Sequence, residues 1–261
     1  MGSVLICGPR QVRAALTKAF KAKGIRCYFI TEGHDFDPNG MSIRQDVFKL
    51  GASDLPYVDT LYYFPSPDTH KVSDYRKAYI HTLAHLLSII PTDAKVVYGS
   101  SAKVYGNQWG QVVTEDSPCN LESPYAQAIH MGEALLKSRR HLILRLGTIY
   151  TDLKPLVARI ERGKMCYSQR QHYLNYLHLN DLVRSIMHLE HQQGVMIVSD
   201  QQPLALNTLL SLLSSRYGVA VHTPRHWIKS FKGVKLSPQK LMEKGFSFQN
   251  PSCIGQPSYS E

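Results

Sequence analysis

Residues 8–13 read Gly-Pro-Arg-Gln-Val-Arg and follow directly on a short apolar run that ends at Gly8. A glycine turn between a strand and a helix is an anion-binding device, because the helix N-terminus offers backbone N–H groups and the positive end of its dipole. Arg10 and Arg13 add two planar guanidinium groups suited to phosphate. Other chemistry-bearing residues are less organised. His81 and His85 stand four apart, the spacing of two metal ligands on one helical face, but no third ligand signature accompanies them and no metal is expected. The five cysteines (Cys7, Cys27, Cys119, Cys166 and Cys253) are odd in number and contain no CxxC pair, so neither a disulfide framework nor a zinc site is expected. Cys7 and Cys27 fall in apolar strand-like runs and read as small core residues.

The elements that position these residues alternate. Residues 3–8, 25–31, 59–65, 94–101 and 141–150 read as strands. Between them lie a helix carrying Val12, Leu16, Ala19 and Phe20 at helical spacing, a helix over 73–90 capped by Ser73, and a helix over 125–138 entered through Pro124. Tyr62, Tyr63 and Phe64 read as part of a sheet strand, not as a base-stacking platform. Apolar strands separated by helices predict a parallel sheet covered on both faces. With the glycine turn after the first strand, the expected fold is α/β: a Rossmann-like doubly wound parallel sheet. After Tyr150 the pattern turns mixed, with helices over 180–194 (capped by Asn180 or Asp181) and 204–218 and a strand over 195–200. The expected organisation is a nucleotide-binding core over 1–150, a small mixed α/β C-terminal lobe over 151–250 interleaved with it, and a loose Pro/Ser/Gly-rich tail over 251–261.

The order of motifs resembles the extended short-chain dehydrogenase/reductases, and within them the sugar-nucleotide epimerase/dehydratase branch. The stretches that carry the resemblance are SSAKVYG (100–106), VVTEDSPCNLESPYAQ ending at 127, RLGTIY (145–150), NYLHLNDLVRSI (175–186) and LSPQKLMEKGFSF (236–248). The resemblance implies a hydride transfer in which Tyr125 gives or takes a proton at a carbinol or carbonyl, Ser101 hydrogen-bonds the same oxygen, and NAD or NADP carries the hydride. It also implies a nucleotide-sugar-like substrate and a homodimer paired through a four-helix interface that includes the tyrosine helix.

Two departures from the family pattern bear on activity. The family places a lysine four residues after the tyrosine, where it favours the phenolate and holds the nicotinamide ribose; here that position is Ile129, which has neither charge nor donor. His130 points away from the Tyr125 face of the helix at about 100° per residue, and Lys103, two residues after Ser101, is the remaining cation that could reach inward. The glycine loop keeps Gly8, but one alignment puts Arg10 and Arg13, and the other Gln11 and Ala14, at the remaining glycine positions. A side chain at Arg10 obstructs backbone approach to a pyrophosphate, and Arg13 is expected to swing outward or push the helix away from the sheet. Glu32 stands where an acid would bind the adenosine ribose of NAD, Arg10 would suit the extra phosphate of NADP, and Asp46 matches the family's adenine-edge aspartate. Two readings follow: a divergent NAD(P)-linked epimerase, dehydratase or reductase, or a catalytically inactive pseudoenzyme that serves as a binding or regulatory module with a protein partner.

Composition narrows the field. The 261 residues are 43% hydrophobic, enough for a sizeable core. No run of 18 apolar residues implies a membrane span. The first residues carry too short an apolar run for a signal peptide, and a soluble cytoplasmic protein is expected. The net charge of +10 is spread over KAFKAKGIR, KSRR and KSFKGVK with no dense block, so a nucleic-acid partner is not expected.

Overall fold

The computed structural model describes residues 2–31, 37–165, 167, 170–222 and 230–250. The first half is built as the alternation predicts. Strand β1 (Ser3–Cys7) leads through Gly8 into helix α1 (Arg10–Ala22) and back into β2 (Arg26–Thr31) and β3 (Met41–Arg44). β4 (Thr60–Tyr63) is followed by α2 (Val72–Arg76), a π-helical turn at Lys77–His81 and α3 (Thr82–Ile89); then come β5 (Lys95–Ser101) and α4 (Pro124–Ala134). Leu5, Ile6, Leu61 and Val96 are fully buried; adjacent strand residues point to opposite faces, so both faces of the sheet are covered, as a parallel sheet requires. α1 packs through Val12, Leu16 and Phe20, and the Phe20 ring lies 4.8 Å from that of Tyr62.

Seven strands form the central sheet in the order β3, β2, β1, β4, β5, His141–Leu146, Gly194–Val198. β1 pairs in parallel with both β2 and β4, β2 with β3, and β4 with β5. The order reverses between β1 and β4. In an open α/β sheet the crevice outside the carboxyl ends of the strands at that reversal is where ligands bind.

The described chain divides into two compact units. One draws on the chain up to Val104, on Leu121–Arg145 and on Leu189–Met196; the other on Tyr105–Asn120, Leu146–His188 and the chain from Ile197. The second unit is mixed α/β. Its core gathers Val157, Ile160, Tyr176, Leu209, Leu210 and Leu213 from helices Lys154–Glu161 and Leu206–Tyr217 and strand Tyr176–His178. The tail from residue 251, with Cys253, lies outside the described residues, as does Cys166.

Several boundaries differ from expectation for identifiable reasons. The apolar run 141–150 is two strands, because the chain breaks at Gly147 and Thr148–Tyr150 pairs with Tyr176–His178 in a separate sheet. A side chain at 147 would meet the Asn175 carbonyl oxygen at 2.9 Å. The helix expected from Ser73 starts at Val72 with Lys71 as its cap, whose carbonyl accepts from the Tyr75 amide at 3.2 Å. The helix expected from Asn180 or Asp181 starts at Leu179, and the Asn180 amide donates to Nδ1 of His178. Asp181 lies inside the helix, fully buried, and accepts from Arg184 and from the amides of Gln249 and Asn250. Gly194 opens a strand.

Candidate functional site

The reversal point is built by Gly8 and Phe64. The Phe64 amide donates to the Cys7 carbonyl at 2.8 Å, extending the β1–β4 pairing one residue past the strands. Gly8 has φ +156°, and a Cβ there would stand 2.8 Å from Cβ of Phe64 and 2.9 Å from its carbonyl oxygen. Only glycine fits this crossing. Phe64 in turn lies over Gly99 of β5, where a Cβ would approach the ring at 2.5 Å.

Beside this crossing lies a cavity of about 240 Å³. Its floor is Cys7, Gly8 and Ile30, its walls include Tyr63 and Val47, and its rim carries Asp68, Asp74 and Lys77. The Tyr63 hydroxyl donates to the Ala78 carbonyl at 2.5 Å, tying β4 to the π-helical turn. Burial pushes the Cys7 thiol up to about 12, which makes it an inert wall, not a nucleophile. At the rim, the hydroxyl of Thr69 donates to the Asp74 carboxylate and holds its pKa below the ordinary value. Ligand pockets are typically clefts of roughly 300–1,000 Å³, so this space suits a small ligand or one part of a larger one.

Of the residues read as cofactor contacts, Gly8 lines this crevice, at its floor. Arg10 is the exposed first residue of α1. The α1 cap is Pro9, which makes no side-chain cap bond, and the Arg13 amide donates to the Pro9 carbonyl at 3.0 Å. Arg13 corrects the expectation that it swings outward or pushes the helix away. It is 6% exposed, with its guanidinium 4.5 Å above the Phe29 ring. The aliphatic stem and the cation–π contact make that position tolerable, so Arg13 packs α1 onto β2. Asp46 caps the short turn Val47–Lys49, its Oδ1 accepting from the Phe48 amide at 3.0 Å; its neighbour Val47 lines the cavity. Glu32 lies outside the described residues.

Ser101 ends β5, and Tyr125 follows the N1 proline of α4, whose cap Ser123 accepts from the Tyr125 amide. The two are linked through residues that the sequence leaves unpaired. The Ser101 Oγ accepts from the Lys103 amide at 3.3 Å. Lys103 Nζ donates to the Tyr75 hydroxyl oxygen at 2.6 Å, and the Tyr75 ring meets the Tyr125 ring edge-on with centroids 4.8 Å apart. The Tyr125 hydroxyl donates to the His70 carbonyl at 2.9 Å. Ile129 is fully buried. His130 places Nδ1 3.4 Å from Oε2 of Glu133.

Beneath this layer sits a buried ion pair. Glu133 is 5% and Arg145 6% exposed. Oε1 of Glu133 accepts from Arg145 Nε at 3.1 Å and from the Ser100 hydroxyl at 2.5 Å, and Oε2 accepts from the other guanidinium arm at 2.9 Å. This fork holds α4 in register with β5 and the strand His141–Leu146. Its signal in the sequence is a glutamate in the apolar stripe Ala126, Ile129, Glu133 and an arginine inside the apolar strand HLILRL.

No family profile and no curated protein matches the chain. Solved structures do. MoeE5, solved with UDP-glucuronic acid and NAD, matches with a TM-score of 0.78 at 18% identity over 94% of this chain and 93% of its own. The UDP-glucuronic acid 4-epimerase of Bacillus cereus, solved with NAD, matches at TM-score 0.75 and 17% identity over 96% and 92%. The UDP-glucose 4-epimerase of Thermotoga maritima, solved with UDP-glucose, matches at 0.74 and 15% over 95% and 94%. The chain shares the fold of these proteins. The Rossmann-like sheet read from the sequence is therefore present, with the cavity beside its reversal point. No helix among the described residues is long and apolar enough to cross a membrane.

Proposed function

We propose that the chain binds a nicotinamide dinucleotide, NAD or NADP, at the β1–β4 crossing and acts on a nucleotide sugar as a divergent epimerase, dehydratase or reductase. The observation that carries this reading is the crossing itself: Gly8 in a conformation and at a spacing that admit no side chain, opening on a cavity of about 240 Å³. The residues present fit such a group. Gly8 would let the pyrophosphate approach, the first turn of α1 would offer it amides, Arg10 would meet its charge, and Val47 would pack against the base. Arg13, folded onto Phe29, does not stand in the way. The dinucleotide would supply hydride transfer. Ser101 at the end of β5 would orient the reacting oxygen.

One observation favours a second reading, a binding module without turnover. The Tyr125 hydroxyl donates to a backbone carbonyl, and the position four residues on is a buried isoleucine. Calorimetric titration of the purified protein with NAD+, NADH, NADP+ and NADPH tests the first step common to both. Micromolar binding of one dinucleotide is the expected result; no heat up to millimolar concentration of any of the four refutes the assignment of the crevice.

A further inference from the structure

We propose that Tyr75 and Lys103 form the proton-transfer pair of this site, in place of Tyr125 and the absent helix lysine. The inference rests on the dinucleotide reading above and deepens it. A phenol carries one proton. That of Tyr125 is directed at the His70 carbonyl, so handing it to a substrate breaks a bond that holds the segment after β4. Tyr75 is arranged in the opposite sense. Its oxygen accepts from the Lys103 ammonium at 2.6 Å, so its own proton is aimed elsewhere. Lys103 is an exposed residue, and Tyr75, which it meets, is 7% exposed. The ring is fixed by a parallel stack on Tyr79 at 5.6 Å and by the Tyr125 edge, and Lys103 Nζ stands 4.9 Å from its centroid. A rigid donor of this kind needs no reorganisation before it reacts.

Lys103 also belongs to the turn that carries Ser101, whose Oγ accepts from its amide. On this proposal a substrate oxygen held by Ser101 lies within reach of the Tyr75 hydroxyl. In the reducing direction the carbonyl carbon takes the hydride from the reduced nicotinamide dinucleotide. The Tyr75 O–H bond breaks as a new O–H bond forms on the substrate oxygen, and the phenolate left behind keeps the charge-assisted hydrogen bond from Lys103. In the oxidising direction the phenolate takes the carbinol proton back. Tyr75 is the catalytic residue of this scheme and Lys103 its positioning residue.

The test uses the full chain labelled with 13C at tyrosine Cζ, a nucleus that reports on the phenol oxygen, with signals assigned through Tyr75→Phe and Tyr125→Phe. Lys103→Met should move the Tyr75 signal. In the NADH complex, a panel containing UDP-glucose and UDP-glucuronic acid should contain a sugar that moves the Tyr75 signal and leaves that of Tyr125 in place. For that sugar, Tyr75→Phe and Lys103→Met should each lower kcat at least ~100-fold with KM unchanged, while Lys103→Arg restores most of it and Tyr125→Phe leaves it within ~10-fold. The proposal is overturned if NADH binds and no sugar moves the Tyr75 signal, or if the Tyr125 signal is the one that moves. It is equally overturned if Tyr125→Phe is the variant that loses turnover. Absence of NADH binding is a distinct outcome: it refutes the dinucleotide assignment and removes this inference with it.

Discussion

Replacing Glu133 by alanine removes the carboxylate from the interior and leaves the Arg145 guanidinium, 6% exposed, without the partner that takes two of its N–H groups. Removing one member of a buried pair costs about 3–5 kcal/mol, because the remaining charge stays out of water. The Ser100 hydroxyl loses its acceptor as well, which places the expected loss in the upper part of that range. For a chain of this size each kcal/mol lowers the melting temperature by ~2–4 °C, so Glu133→Ala should melt roughly 10–20 °C below the wild type. Circular dichroism melts and urea titrations at neutral pH measure this directly. A double variant separates the charge effect from lost packing. Glu133→Leu with Arg145→Met replaces the pair by apolar side chains of similar volume, and such replacements are often neutral or stabilising. The double variant should therefore be more stable than Glu133→Ala alone. A loss below ~1 kcal/mol for Glu133→Ala, or a double variant at least as unstable as the single, would refute the view that this fork holds α4 against the sheet.

Two further substitutions test the interior of each unit. Asp200 is 1% exposed, and burial, with the charge of Asp181 adding to it, pushes its carboxyl up to about 7. A carboxyl whose folded pKa lies above its unfolded value binds more protons folded than unfolded, so its contribution is fully present below about pH 4 and is lost as pH rises towards 7, to a total of up to ~4 kcal/mol. Asp200→Asn keeps an oxygen for the Gln202 amide and carries no charge, so at pH 8 it should need more urea to unfold than the wild type and show a flatter pH profile between 4 and 7; parallel profiles would count against it. Gly132→Ala adds a Cβ 2.5 Å from the Tyr79 carbonyl oxygen and against the Tyr98 hydroxyl. The ~1 kcal/mol that alanine gains over glycine in a helix is smaller than the ~1–3 kcal/mol or more of overpacking, so the variant should melt lower; a higher melting temperature would show that α4 is free to shift.

The sheet was legible because its determinants are local. Strands such as SVLIC and KVVYGSS are buried on both faces and read as continuous apolar runs, and the glycine turn after the first of them marks the start of a doubly wound order. Boundaries failed where tertiary contacts overrode local pattern. HLILRLGTIY reads as one apolar run, and the division at Gly147 comes from Asn175 and Ser199, residues distant in sequence that leave no room for a Cβ. The π-helical turn Lys77–His81 was invisible because its five residues, KAYIH, include no glycine or proline to mark a change in the helix.

The site was legible in its parts and not in its pairings. Spacing along α4 places Ile129 four residues after Tyr125, and that reading needs no tertiary information. Which phenol an alternative lysine meets depends on how α2 packs beside α4, and no spacing relates residue 75 to residue 103. Charge makes the same point at Arg13. A guanidinium one turn into the helix after Gly8 reads from sequence as a ligand contact or an obstruction, and the structure places it over the ring of Phe29 of β2, inside the core. Arg13 is part of the packing between α1 and β2, and the Lys103 ammonium stands 2.6 Å from the Tyr75 phenol oxygen. The Tyr75–Lys103 contact is the point at which turnover and its absence predict different behaviour.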